Sequence, residues 1–542
     1  MALIRSPIPR SLPYHGRSIA ATSCRLLAGL LLLAAPRVAG AQSTFYVDGS
    51  NPAATDYGPG TEAVPYQTIY AAVRKRGCCG DTILVKAGTY TEFVSLFERS
   101  DFVLRAFTRP VLVVGAFRCG GSGGGVTIEG FDITGTNLWD HGIYLRGRQG
   151  DVIRDNRIYE SAGANGIDVS WSDVDIAKRS ADVVIEHNII YANAGNCIVF
   201  NGAERCTVQD NECYGDTTGG FGGIKLELSP RNVLRRNRVH HNGHSGIEIV
   251  KSDSNLVVQN LSWANGYHGL EVNNSRGTVF DSDVASANGG DGLSFEGGAC
   301  FGRVENCILV ANGLGTGHSN LYVADSSDVG LYSDDNIIWN PTSQSPVKYE
   351  GIRYATVLAY ANATGHDQRT FESDPRFADP AEGEFHLLSG SDAIDTGSST
   401  GPAWPPLDFE GHARVDDPIA ENRGLGPVSY ADRGAFEFVR TGTTAVTEAP
   451  AHGFALARPF PDPASGPVWF AVELPRDGAI VWDVLDVQGR RVWRERAVRS
   501  AGISLLGWNG RDGTGKLVGS GVYMIRAQFE GESRTVRVIR LR

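Results

Sequence analysis

These 542 residues contain only one long apolar run, Leu26 to Ala35. It is well short of the ~20 residues that a helix needs to cross a bilayer. No second run follows, so the bulk of the chain is expected to be soluble or surface-attached. A basic excess is also missing. The formal charge is −11, and residues 1–41 hold Arg but no acid, so the remainder is more acidic still. That argues against a nucleic-acid partner, which would need a basic footprint. It also means that an acidic ligand would need a local cation, from a metal or a few placed Lys and Arg. There is no CxxC and no Cys/His spacing of a zinc site.

The apolar run itself reads as part of an export signal. Arg5, Arg10, Arg17 and Arg25 precede it, and Ala39-Gly40-Ala41 supplies a small-residue cleavage frame before Gln42. A signal peptide over 1–41 is expected, with the protein secreted or held at a bacterial cell surface; an uncleaved anchor is the alternative. Cys24 would leave with the signal. Export permits disulfides among the other cysteines, and the shared spacing of Cys206/Cys213 and Cys300/Cys307 hints at local pairs. A monomer is expected.

What the chain has in abundance is periodicity. Asn237, Asn260, Asp283 and Asn306 recur every 23 residues or close to it, each in an apolar frame. Gly223-Ile224, Gly246-Ile247, Gly269-Leu270 and Gly292-Leu293 keep the same interval, and Asn242-Gly243, Asn265-Gly266, Asn288-Gly289 and Asn312-Gly313 mark a turn. Short alternating strands at a fixed period of this size predict a solenoid with one coil per repeat, an all-β right-handed parallel β-helix. The Asn positions are expected to stack into hydrogen-bonded ladders, with Asn237, Asn260 and Asn306 in one line.

The period places the outward side chains in columns, because successive strand residues alternate faces. One column runs Tyr144, Asp168, Val199, Lys225, Glu248, Glu271, Ser294, Tyr322; the next runs Arg146, Ser170, Asn201, Glu227, Val250, Asn273, Glu296. This face is acidic with one Lys near its middle. Lys225 is expected either to work on substrate or to form a cross-strand ion pair with Glu248. Glu248 and Glu271 are adjacent like charges, which favours a cation between them. Arg235 and Arg236 belong to a basic run with Arg238, His240 and His241, a candidate seat for a carboxylate-rich glycan, or a solvated turn balancing nearby acids.

Around the repeats the chain divides as follows. Residues 42–125 form the N-terminal cap and first coils, with a short amphipathic helix after Pro65 covering the end of the solenoid. Residues 126–345 are the repeats, and 346–440 a closing segment without the period. Its many acids, as in Asp408-Phe409-Glu410-Gly411-His412 and Asp432-Arg433-Gly434, are expected to cap turns. Residues 441–453 read as a linker, and 454–542 as a separate small β-sandwich.

Three strings of residues carry a family resemblance. Phe45-Tyr46-Val47-Asp48-Gly49, Pro65-Tyr66-Gln67-Thr68-Ile69, Gly80-Asp81-Thr82-Ile83 and Gly88-Thr89-Tyr90 resemble the N-terminal cap of the pectate-lyase-like superfamily of β-helix proteins. Among these, Gly220-Phe221-Gly222-Gly223-Ile224-Lys225-Leu226 is similar to the segment that carries the catalytic Lys of family-9 polysaccharide lyases. Here Gly stands where that family has Asp, and Ile224 is additional. Asp486-Val487-Gln488-Gly489-Arg490, Trp508-Asn509-Gly510-Arg511-Asp512 and Gly521-Val522-Tyr523 resemble the immunoglobulin-like C-terminal domains of type IX secretion sorting signals and of flagellar hook-capping proteins.

The resemblance implies a polysaccharide lyase that cleaves a uronate polymer by calcium-assisted β-elimination. Calcium would neutralise the uronate carboxylate and Lys225 would remove the proton beside it. Asp216, Asp210 and Glu271 would be the acids about the metal, and Glu227, Glu248, Arg235 and Arg236 would contact the glycan. The C-terminal domain would engage the secretion machinery. The rival expectation is a non-catalytic surface adhesin or carbohydrate-binding stalk.

Overall fold

The computed structural model describes residues 42–440 except 136–140, 163, 173–177 and 216–219, and residues 454–541 except 457, 458, 460–463, 465–467, 477, 500 and 501. The expected signal peptide and linker lie outside the described residues. The chain is a right-handed parallel β-helix followed by a β-sandwich. Each coil contributes one short strand to each of three sheets. The first sheet runs in twelve strands from Thr44–Val47 to Tyr332–Asp334, the second in eleven from Gly88–Tyr90 to Ile337–Trp339, and the third in twelve from Phe93–Ser95 to Ile352–Tyr354. Pairing between coils is parallel and in register, for example Ile224 with Ile247 and Ile247 with Leu270. Only the last strand, Ile352–Tyr354, pairs antiparallel and so ends the sheet.

Strands this short leave no room for long turns, and the sequence solves the corners in one way. The residue just before each ladder position takes a left-handed backbone: Arg236, Gln259 and Ser282 at the first corner, His241, Ala264 and Ala287 at the second, Leu228, Lys251 and Asn274 at the third. A non-glycine residue costs about 1 kcal/mol or more there. The next residue offsets that cost by bonding between coils. The Asn260 amide accepts from the backbone of Asn237 through Oδ1 at 3.1 Å and donates through Nδ2 to the Leu234 carbonyl at 3.0 Å. Asn156, Asn188, Asn211, Asn237 and Asn260 form this ladder at the first corner. A second ladder runs Asn242, Asn265, Asn288, Asn312, and serines 229, 252 and 275 form a third. Gly313 apart, whose φ is 62°, the glycines of the Asn-Gly pairs do not take a left-handed backbone. Their role is steric: a Cβ on Gly266 would lie 2.6 Å from the Gly243 carbonyl oxygen of the coil above.

Asn306 departs from expectation. The coil between Asp283 and the next ladder position is 24 residues long, as the pairing of Val279 with Arg303 shows. The ladder position therefore falls on Cys307, whose N–H donates to Asn336 Oδ1 at 2.9 Å. Asn306 takes the left-handed position with φ 55°. Its amide bonds the backbone of Ser398 in both directions, at 2.6 and 3.0 Å.

Helix Ile69–Arg76, capped by Thr68, covers the first coil, and helix Val357–Thr364, capped by Thr356, follows the last. The closing segment then doubles back along the outside. Phe377, Phe385, Leu387 and Phe436 pack on Leu261, Trp263, Val284, Ile308 and Ile337 of the second sheet, forming an apolar core outside the solenoid. The acids of this segment do cap turns: Asp408 Oδ1 accepts the N–H groups of Glu410 and His412. Among the described residues the cysteines are all free thiols. Cys206 and Cys213 are buried in the solenoid interior and do not pair. The C-terminal sandwich has one sheet with strands Val468–Leu474 and Gly502–Trp508, and a second of four strands from Gly478–Asp486 to Glu532–Arg540. It holds its own core around Phe470, Trp482, Trp508 and Phe529.

Candidate functional site

The outward face of the third sheet collects a set of interacting titratable groups on successive coils. Ile224, Leu226, Ile247, Ile249, Leu270 and Val272 point inward and are buried. The alternation therefore turns Lys225, Glu248 and Glu271 outward, on three successive coils in register. Lys225 Nζ meets Glu248 Oε1 at 2.9 Å. Such a half-exposed pair contributes ~0–1 kcal/mol, so it holds two side chains in place more than it holds the fold together. Glu271 is buried and accepts a hydrogen bond from Ser245 Oγ at 2.8 Å. Burial first, and the neighbouring Glu248 second, push its carboxyl above the ordinary range. Two adjacent carboxyls are thus held unlike: one ion-paired, one biased toward its neutral form. Glu227 is half-exposed on the next column, opposite Asn201 and Val250.

The corner leading into this sheet adds aromatic and imidazole groups. His244 and Tyr267 occupy the same position on successive coils, their ring centroids 5.1 Å apart. Burial, the largest influence, lowers the His244 pKa; Glu248 raises it, and the neighbouring His268 and Lys225 lower it. The imidazole is therefore held in its basic, neutral form. Burial raises the Tyr267 pKa, with Glu296 and Glu271 adding to the effect, so its phenol stays protonated. His268, buried next to Tyr267, accepts the Asp291 N–H on Nδ1 at 2.8 Å. Its Nε2 faces Glu296 Oε1 at 3.4 Å, and that imidazole holds the Glu296 carboxyl below its usual range. His318 Nδ1 sits 2.8 Å from Asp291 Oδ2 and brings its ring within 5.6 Å of Tyr267.

The remaining predicted site residues lie elsewhere. Arg235 belongs to the first sheet, is 3 % exposed, and donates to Gln209 at 2.8 Å. Its guanidinium is thus taken up within the sheet. Arg236 and Asp210 form a two-point ion pair at 2.7 and 2.9 Å at the first corner. They line a cavity of about 290 Å³ with His187, Glu212, Arg238 and Phe409, at the edge of the closing segment. Asp216 lies outside the described residues. Asp210 and Glu271 belong to different sides of the solenoid, so these acids do not converge on one calcium position. Among the described residues, two other groups have the donor set and spacing for a cation: His268–Asp291–His318 on the face just described, and Asp408–Glu410–His412 on the closing segment.

Comparison with known proteins agrees with the fold. The sequence profile described as right handed beta helix region matches residues 115–275 and 219–356. No curated protein matches the chain. Solved structures that resemble it include the A-module of the mannuronan C-5 epimerase AlgE4 of Azotobacter vinelandii, at 12% identity and TM-score 0.44 over 56% of this chain and 94% of that one. Pectate lyase Pel9A resembles it at 14% identity and TM-score 0.39 over 73% and 96%. A complex of XylC with xylose resembles it at 11% identity and TM-score 0.44 over 86% and 100%.

Proposed function

We propose that the third-sheet face binds a uronate-containing polysaccharide and cleaves it by β-elimination. The observation that carries this reading is a neutral imidazole, a protonated phenol and a placed ammonium brought together on one open face by three coils. β-Elimination needs those three functions: a base for the proton beside the uronate carboxylate, an acid for the departing glycosidic oxygen, and a cation for the carboxylate. His244 is the base. The electrons of the broken C–H bond form the C=C bond as the glycosidic C–O bond breaks, and Tyr267 gives its proton to the leaving oxygen. Lys225, as an ion-paired cation, exchanges its contact with Glu248 for the substrate carboxylate. This assigns it to holding the substrate in place of the base role that the lyase resemblance implies. Burial of Glu271, which biases its carboxyl toward the neutral form, lessens like-charge repulsion at the same place. No step is routed through calcium; of the acids implied for it, Asp210 and Glu271 lie on different sides of the solenoid.

Kinetics on uronate polymers, followed by the absorbance of the unsaturated product, test the assignment. His244→Ala is expected to lower kcat by 10²-fold or more with KM little changed, and Lys225→Ala to act mainly on KM. Activity should fall as pH drops through the His244 pKa, which lies below the ordinary histidine value of about 6.5, and that acid limb should disappear in His244→Ala. A kcat loss in Lys225→Ala as large as in His244→Ala would return the base role to Lys225. If no uronate polymer yields unsaturated product, the face is adhesive, the second reading. We place the protein in the secreted or cell-surface compartment, with the C-terminal sandwich as the sorting or anchoring unit.

A further inference from the structure

Adjacent side chains in extended backbone point to opposite faces, so neighbouring cysteines do not ordinarily meet. Cys78 and Cys79 do. They lie in the connection between the capping helix Ile69–Arg76 and the strand Asp81–Val85. The Asp81 N–H donates to the Cys78 carbonyl at 3.1 Å and closes a tight turn. Both central residues of that turn are left-handed, Cys79 at φ 66° and Gly80 at φ 81°. Such a backbone is uncommon for a residue other than glycine. In this turn Cys79 Sγ lies 2.6 Å from Cys78 Sγ and donates to it. A disulfide bond is about 2.05 Å long, so the pair is two thiols that share a hydrogen bond. Cys79 is exposed and Cys78 half-buried; of the other described cysteines only Cys300 is not buried.

We propose that Cys78 and Cys79 are a redox site, which closes to a disulfide between adjacent residues by exchange with a small disulfide of the oxidised-glutathione class. The incoming disulfide meets the exposed Cys79. The Cys79 thiolate bonds to one donor sulfur, the donor S–S bond breaks, and the second donor sulfur leaves, taking up the proton as a thiol. The Cys78 thiolate then attacks Cys79 Sγ and expels the remaining donor sulfur, again as a thiol. Two protein thiols and one donor disulfide become one protein disulfide and two donor thiols. The hydrogen bond with Cys79 first, and burial second, push the Cys78 thiol up to about 11. An adduct on Cys79 removes that hydrogen bond and readies Cys78 to resolve it. Adjacent Cα atoms are about 3.8 Å apart, below the usual disulfide span of about 4.4–6.8 Å. The closed form is therefore strained, encloses almost no chain, and is readily reduced. It is a reversible cap on an exposed thiol, not a staple of the fold. Through it, Cys79 does not stay joined to a second molecule. The inference is independent of the lyase reading.

The test uses the full chain, reduced without denaturation and then held in oxidised glutathione. Trypsin cuts after Arg76 and Lys86, so one peptide, residues 77–86, carries both cysteines and no other. In the wild type its mass is expected to fall by two hydrogens, with no glutathione attached and no thiol left to alkylate. Excess reduced glutathione should restore both thiols. In Cys78→Ser the adduct on Cys79 has no resolving neighbour, and should stand roughly tenfold or more above its level in the wild type. Cys79→Ser leaves only the half-buried thiol, and should take up glutathione roughly tenfold or more slowly than Cys78→Ser. The wild-type arm needs no variant to fold. Two alkylatable thiols on the wild-type peptide after oxidation would overturn the proposal, as would a lasting glutathione adduct or a bond to another cysteine or a second chain. A disulfide that withstands reduced glutathione would overturn the reversible role, and equal uptake by the two variants would overturn Cys79 as the point of entry.

Discussion

Asp283 interrupts the amide ladder of the first corner. Both donors of Asn260, its N–H and Nδ2, bond Asp283 Oδ1 at 2.7 and 3.0 Å, as they would an amide oxygen. The other oxygen, Oδ2, is buried without a partner among the described residues. In Asn237 and Asn260 the equivalent atom is Nδ2, which donates to Val208 and Leu234 in the coil before. By register the matching acceptor for position 283 is the Val257 carbonyl. Asp283→Asn supplies that donor and removes a buried carboxylate, so it is expected to stabilise the protein by ~1–2 kcal/mol, read as an increase in urea midpoint at unchanged slope. The ladder was legible in the sequence because a buried amide at a fixed period has little else to do. Asn306 was misread by one position because the coil lengthened by one residue, and a shift of one moves a side chain from a rung to the left-handed corner. His244 and Tyr267 escaped notice for a related reason. They sit between two marks that were read, Asn-Gly and Gly-Ile/Leu, at a position that holds Gly290 one coil later and so shows no repeating chemistry.

The closing segment is the element that the sequence least revealed. Period locates the coils because every coil meets the same neighbours. Residues 366–440 meet a different part of the second sheet at each step, so no interval repeats. Their apolar residues are single anchors: Phe385 packs edge-on to Trp263 at 5.5 Å and to Phe377 at 5.1 Å. Phe385 is 1 % exposed. Phe385→Ala should therefore cost about 3–5 kcal/mol at this seam. The loss should appear first as protease sensitivity of residues 366–440, while the solenoid coils stay protected from hydrogen exchange, because their own core, around Ile247, Leu270 and Phe295, lies on the other side of the sheet. Uniform loss of protection through the coils would show instead that segment and solenoid fold as one unit.

At the scale of the whole molecule two architectures share one chain. The change was legible as a change of strand: two to five residues per strand in the solenoid, seven to nine in the six long strands of the last domain. The cores are separate, with Trp482, Trp508 and Phe470 on one side and the stacked Ile, Leu and Val of the coils on the other. A cross-link such as Arg499 Nη2 to Asp182 Oδ1, at 3.7 Å, is a weak contact of ~0–1 kcal/mol. A protein ending at residue 440 is therefore expected to fold, to keep the melting temperature of the solenoid within about 2 °C, and to retain the kcat and KM of the third-sheet face. What it should lose is its address. Expressed with residues 1–41 in place, the shortened protein should leave the cell or stall before the surface, and the fraction held at the cell surface should fall by at least tenfold in a fractionation assay. Surface retention equal to that of the full chain would remove the sorting role and leave the sandwich as a passive end domain.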